Sequence, residues 1–277
     1  MNDSAIRVRG LRKTYGSTTA VAGLDLDVRR GETLAVLGPN GAGKSTTVQI
    51  LSAQLPRDGG AVTVLGTDPA GADRRFRSRL GIVSQTANDL LELTVAEVVR
   101  HFAAYYPRPR DPGRVLDEVG LAGQAKQKLR QLSGGQRRRV DVALGVVGNP
   151  ELLFLDEPTT GFDPEARRRF WDLIRSLAAD GTTILLTTHY LDEAEALADR
   201  IAVIAAGRIR ASGTVADLVD DREVTVAWRD GAKTTDTPTA LIAELSAAHG
   251  GEIPGLTVTR PSLEDAYLRL TGQETAA

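Results

Sequence analysis

The 277 residues carry 34 basic and 36 acidic side chains, a net charge of −2, so no global field favours nucleic acid or an anionic membrane. Cysteine is absent, which excludes disulfides, thiolate catalysis and cysteine-ligated zinc. Residues 1–7 lack signal-peptide character, and no stretch approaches the ~18 consecutive apolar residues of a membrane span.

In chain order, short strands are predicted at 6–8, 24–28 and 61–65, around the apolar β-forming run Thr33–Leu37. That run leads into Gly38-Pro39-Asn40-Gly41-Ala42-Gly43-Lys44-Ser45-Thr46, which fills every fixed position of G-x-x-x-x-G-K-[ST]. Residues 46–51 follow as a helix, so the loop has the strand–loop–helix context that the motif requires. Its glycines let backbone N–H groups turn inward on a β-phosphate, and the new helix points its positive end at the same anion. Lys44 is expected to reach the β- and γ-phosphates and the Ser45 hydroxyl to ligate Mg²⁺. The implied ligand is a nucleoside triphosphate.

From about 86 to 129 the pattern is helical but polar and broken, and the proline-rich 107–113 reads as an exposed loop. We read about 86–147 as a helical subdomain inserted into an α/β core. Buried strands return at 151–156, Thr183–Thr188 and 201–204, so the α/β domain is placed at 1–218. Beyond it, strands at 223–228 and 256–259 surround a helix at 239–248. Ser262 and Asp265 then form a capping box for a last helix with Leu263, Ala266, Tyr267 and Leu270 on one face. A small C-terminal domain is placed at 219–277.

A second constellation narrows the function. Leu132-Ser133-Gly134-Gly135-Gln136 precedes a helical run, with Ser133 and Gln136 spaced as a capping box. The glycine pair costs helix stability, ~1 kcal/mol each, yet leaves a bare helix N-terminus able to take an anion. Two phosphate-binding surfaces on one chain suggest that two chains share each nucleotide.

On these motifs the chain resembles the ATP-binding cassette (ABC) ATPases over about 5–215. Residues 132–136 match that family's signature, and 151–158 looks like its Walker B strand with the glutamate that follows. Gly161-Phe162-Asp163 resembles the D-loop, His189 the switch histidine, Gln85 the Q-loop and Tyr15 the adenine-stacking aromatic. The resemblance implies a P-loop α/β fold: a RecA-like core, an antiparallel β subdomain and an inserted helical subdomain, here with a small C-terminal α/β extension. It also implies a head-to-tail homodimer in which each ATP lies between one Walker A and the partner's signature. ATP and Mg²⁺ are then the expected ligands.

The chemistry of each residue agrees. Asp156 ends an apolar strand, where a carboxylate is costly without a cation, and Mg²⁺ would supply one. Glu157 could accept a proton from the attacking water, with His189 holding that water and the γ-phosphate in line. Gln85 could reach Mg²⁺ or water, Tyr15 offers a ring, and Asp163 would sit at the dimer seam, although Asp-Pro also starts helices. Phe162, Ser84, Asp141 and Gly145 depart from the family pattern; the last two interrupt an otherwise apolar helix.

Residues 261–272 look like the tail of bacterial exporters of the daunorubicin-resistance type. Their implied partner is a separate polytopic permease, which would hold the chain peripherally on the cytoplasmic side of the membrane and dock on the surface from Gln85 to about Arg100. Two other readings stay open: a soluble cassette remodelling ribosomes or nucleic acid, and a non-hydrolytic regulatory module. Near-neutral charge and a single cassette speak against nucleic acid, and the presence of Glu157 and His189 against the module. No N-K-x-D sequence supports guanine reading.

Overall fold

The structure, a computed structural model, describes residues 4–83, 91–219 and 224–272. It separates into two compact units, 1–210 and 211–277.

The first unit opens with the antiparallel hairpin β1 (Ser4–Tyr15) and β2 (Thr18–Arg29). Next come β3 (Thr33–Leu37), α1 (Lys44–Leu51), β4 (Gly59–Val64), α2 (Arg74–Arg77) and β5 (Leu80–Val83). Three helices follow: α3 (Val95–Ala103), α4 (Pro112–Glu118) and α5 (Gly134–Val147). The chain then alternates through β6 (Leu152–Asp156), α6 (Pro164–Ala179), β7 (Thr183–Thr188), α7 (Leu191–Leu197) and β8 (Arg200–Ala205), and turns into β9 (Arg208–Gly213).

β1, β2 and β4 make one antiparallel sheet in the order β2-β1-β4. The other sheet has six strands in the order β5-β6-β7-β3-β8-β9, with β5 to β8 pairing in parallel. Every residue of β3 and β7 is buried, which is why both sequences are continuous apolar or threonine runs rather than alternating ones. The core joins the two sheets: Ile6, Val8 and Leu26 pack in one cluster with Phe154, Leu185 and Ile204.

Between β5 and β6, the helices α3 to α5 occupy the region read as a helical insertion. Residues 107–113 are not wholly a loop, however. Pro112 opens α4, capped by the Asp111 carboxylate, which accepts from the Arg114 N–H at 2.8 Å. Proline is tolerated there because a first-turn N–H has no helical partner. Nor do Asp141 and Gly145 interrupt α5, which runs unbroken from Gly134 to Val147.

Gly145 has a packing reason: a Cβ on it would lie 2.5 Å from Val83 Cγ2, and one on Gly81 would collide with the Gly145 carbonyl. The two glycines bring α5 and β5 into backbone contact. We therefore expect Gly81→Ala to destabilise the protein by ~2–3 kcal/mol, since the nearest atom, the Gly145 carbonyl oxygen, is backbone and cannot step aside. Thermal unfolding checks this, with Gly123→Ala, which meets nothing within 4 Å, as the control that should not change.

The second unit contains α8 (Val215–Leu218) and a three-stranded sheet with β10 (Val224–Trp228) between β11 (Gly231–Thr235) and β12 (Thr257–Thr259). It also holds α9 (Pro238–Ala248) and α10 (Leu263–Thr271). The Ser262 capping box forms as read, and Leu263 and Ala266 are buried while Tyr267 and Leu270 are half-buried. β11 was not anticipated.

Candidate active site

The phosphate loop leaves the C-terminal end of β3, at the centre of the parallel sheet, and its shape is set by close neighbours. A Cβ on Gly38 would strike the Ile204 carbonyl of β8, and one on Gly43 would strike the Ala20 carbonyl of β2. Gly43 also has a φ of 101°, a region that residues with side chains rarely adopt. The Gly207 N–H donates to Ala42 O at 3.1 Å, so the β8–β9 turn holds the loop from the other side.

Within this frame five predicted residues come together. Lys44, buried, donates from Nζ to the carbonyls of Gly38 (2.7 Å) and Pro39 (3.2 Å). The same Nζ lies 3.5 Å from Glu157 Oε1, and His189 Nδ1 approaches that oxygen from the other side, also at 3.5 Å. Ser45 Oγ donates to Asp156 Oδ1 at 3.1 Å. Strand order explains the convergence: β3 carries Lys44 and Ser45 beyond its end, and neighbouring β7 carries His189. β6, on the far side of β7, delivers Asp156 and Glu157.

The hydroxyl and carboxylate of Ser45 and Asp156 are hard oxygen donors of the kind Mg²⁺ prefers. Among the described residues no cluster of three or more His, Cys, Asp or Glu could form an all-protein metal cage. One carboxylate and one hydroxyl, with phosphate oxygens and water completing the shell, suit Mg²⁺ well.

Two residues missed by the sequence reading shape this site. Thr187 donates from Oγ1 to Asp156 Oδ1, and its carbonyl accepts the Glu157 N–H at 3.1 Å. Arg138, buried on α5, donates to the carbonyls of Asp156, Glu157 and Pro158. Neither has a local signature, because their partners lie roughly 20 to 30 positions away, and Arg138 stands in a run of three arginines that does not single it out.

The remaining predicted residues are placed as follows. Tyr15 is 47% exposed at the tip of the β1–β2 hairpin, whose β2 limb presses Ala20 against Gly43, and Lys13 Nζ sits 5.7 Å from its ring centroid. The hydrogen bonds of Ser133 and Gln136 close on each other in the predicted capping box, leaving Ser133 and Gly134 exposed. Asp163 caps α6, accepting from the Ala166 N–H at 2.8 Å. Phe162, which departs from the family pattern, is buried edge-on against Phe170 at 5.9 Å. Gln85 and Ser84 lie outside the described residues.

Residues 21–160, 140 of 277 and so about half of the chain, match the profile described as ABC transporter. The chain belongs to that family. This ABC ATPase is 38% identical to the daunorubicin resistance ATP-binding protein DrrA3 of Streptomyces coeruleorubidus, over 99% of this chain and 98% of that protein. It is 39% identical to Nod factor export ATP-binding protein I of Ralstonia nicotianae, over 97% and 94%. Among solved structures it resembles an ATP-binding subunit of an ABC transporter (TM-score 0.74, 25% identity, covering 96% of this chain and 99% of that one). It also resembles a dimeric bacterial ABC transporter cassette, with TM-score 0.70 and 26% identity over 76% of this chain and 98% of that one. The P-loop α/β cassette fold is therefore the one this ABC protein adopts, with a C-terminal unit in addition.

Proposed function

We propose that this chain is the ATP-hydrolysing subunit of an exporter, acting as a head-to-tail pair beneath a separate membrane-spanning permease. The observation that carries the catalytic part is the Glu157 carboxylate, held 3.5 Å from both Lys44 Nζ and His189 Nδ1 and beside the Ser45–Asp156 pair. Exporter subunits of nearly the same length, similar from end to end, support the transport part.

In this reading Lys44 leaves its loop carbonyls for the β- and γ-phosphate oxygens, which frees Glu157 to take the proton of the attacking water. His189, 35% exposed beside Glu157, fixes the water and γ-phosphate in line. Mg²⁺ held by Ser45 and Asp156 would neutralise charge on the bridging and terminal phosphate oxygens. Tyr15 offers its exposed ring to the adenine. The partner's Gly134-Gly135 helix start, free of side chains, covers the γ-phosphate from the opposite side, with Asp163 near the seam.

Among the described residues no helix is long and apolar enough to cross a membrane. The dock read from Gln85 to about Arg100 lies partly outside the described residues; we place the permease contact instead in a groove of about 500 Å³ lined by Arg77, Leu80, Phe102, Tyr106, Asp141 and Leu144. It is largely apolar and carries one base, Arg77, and one acid, Asp141, whose carboxyl burial pushes up to about 6 against the pull of Arg138. A short cytoplasmic segment with an apolar face complements it.

The test is purification of tagged Glu157→Gln chain with ATP from detergent-solubilised native membranes. We expect a polytopic protein to co-purify and to be released by Leu144→Glu in the groove. Recovery of ribosomes or nucleic acid instead would overturn the exporter reading. For the shared site, Ser133→Arg should leave ATP binding within about 2-fold yet stop dimer closure and turnover. Unchanged ATPase activity in that variant would mean that each chain completes its own site.

A further inference from the structure

Glu157 has a backbone φ of 47°, in the left-handed region where a residue with a side chain is strained. Such a conformation persists only when its surroundings over-determine it. Here the surroundings are identifiable. On one side the Glu157 N–H is held by Thr187, through its carbonyl at 3.1 Å and its hydroxyl at 3.3 Å. On the other side one guanidinium gathers three consecutive carbonyls: Arg138 Nη2 to Asp156 O at 2.8 Å and Glu157 O at 3.1 Å, and Nε to Pro158 O at 3.0 Å. Carbonyl oxygens repel one another, and three in a row converge only around a cation with several donors in one plane.

Burial holds the Arg138 guanidinium below its ordinary pKa, and Asp141, Asp156, Glu157 and Glu193 offset part of that shift. Asp141 Oδ2 stands 3.8 Å from Nη1, one helical turn further along α5. The arginine therefore bridges the helix that begins with the signature and the turn that aims the catalytic carboxylate. Lysine would keep the charge but would lose the planar fork.

We propose that Arg138 is a positioning residue for ATP hydrolysis, fixing from α5 the left-handed turn that presents Glu157 to the attacking water. It touches no substrate atom; it acts through the backbone of 156–158. The proposal rests on the assignment of Glu157 as base made above, and its test separates the two.

Turnover and ATP affinity are measured on the full chain for Arg138→Lys, Arg138→Gln, Glu157→Gln and the Arg138→Lys/Glu157→Gln double variant, each normalised to ATP-binding sites. Arg138→Lys should lower kcat by ~10-fold or more with KM within about 2-fold, because a misaimed base loses rate without losing binding. In the Glu157→Gln background the same substitution should produce no further slowing, since a positioning effect vanishes with the group it positions. A purely structural arginine would instead lower the number of ATP-binding sites, leave kcat per site unchanged, and give additive effects.

Parental kcat in Arg138→Lys, or equal slowing in both backgrounds, overturns the proposal while leaving Glu157 as base. Parental turnover in Glu157→Gln overturns both. Should Arg138→Gln fail to fold, Arg138→Lys, which keeps the buried charge, decides alone.

Discussion

Replacing Glu157 by glutamine should slow ATP turnover by ~100-fold or more while ATP still binds. The amide has nearly the shape of the carboxylate, so the turn at 156–158 and the contact with His189 are kept, yet it cannot accept a proton at neutral pH. Glu157 is only 15% exposed and its Oε1 is 3.5 Å from Lys44 Nζ, so the negative charge lies close to where the γ-phosphate would sit. Its removal relieves repulsion and should tighten ATP binding. The combination predicts accumulation of an ATP-bound dimer, visible as a doubled mass in size-exclusion chromatography with ATP and not with ADP. Turnover at the parental rate would remove Glu157 from the role of base and move the search to another water-facing group.

Lys44→Ala acts one step earlier. The ammonium is buried and meets the loop carbonyls of Gly38 and Pro39, so it is already at the mouth of the phosphate cradle. A charge-assisted contact to phosphate in so enclosed a place is worth more than a surface pair, and we expect at least ~100-fold loss of ATP affinity, about 3 kcal/mol. Calorimetric titration with ATP and Mg²⁺ checks the affinity; near-parental binding would sink the assignment of this loop. An unchanged melting temperature without nucleotide would show that the loss is not a folding defect.

How much of this was readable beforehand depended on whether the determinants were contiguous. The phosphate loop, the 132–136 capping box and strand Thr183–Thr188 could be read because neighbours in sequence are neighbours in space. Lys44, Ser45, Asp156, Glu157 and His189 were nameable, but the meeting of Lys44 and His189 at Glu157 and of Ser45 with Asp156 follows from the order of β6, β7 and β3, which no local pattern encodes. Arg138 and Thr187 escaped for the same reason. β11 escaped for another: Gly231-Ala-Lys-Thr-Thr235 is an exposed sheet edge whose polar pattern lacks any buried face. Gly145 looked like a flaw in a helix because its justification, the flank of β5, lies outside the helix.

α5 spans 14 residues, roughly 21 Å from end to end. Along that length it places Ser133 and the glycine pair at its start, Arg138 in its second turn, and Asp141 and Leu144 against the groove. An unbroken helix bends little over such a distance, so its ends move as one solid piece. A displacement at the groove end would therefore reach the Ser133 end undivided, and with the Gly81–Gly145 contact beside Leu144 as pivot a small movement there would become a larger one at Ser133. Amplified displacement, rather than a chain of small side-chain shifts, would then join the two ends of this helix.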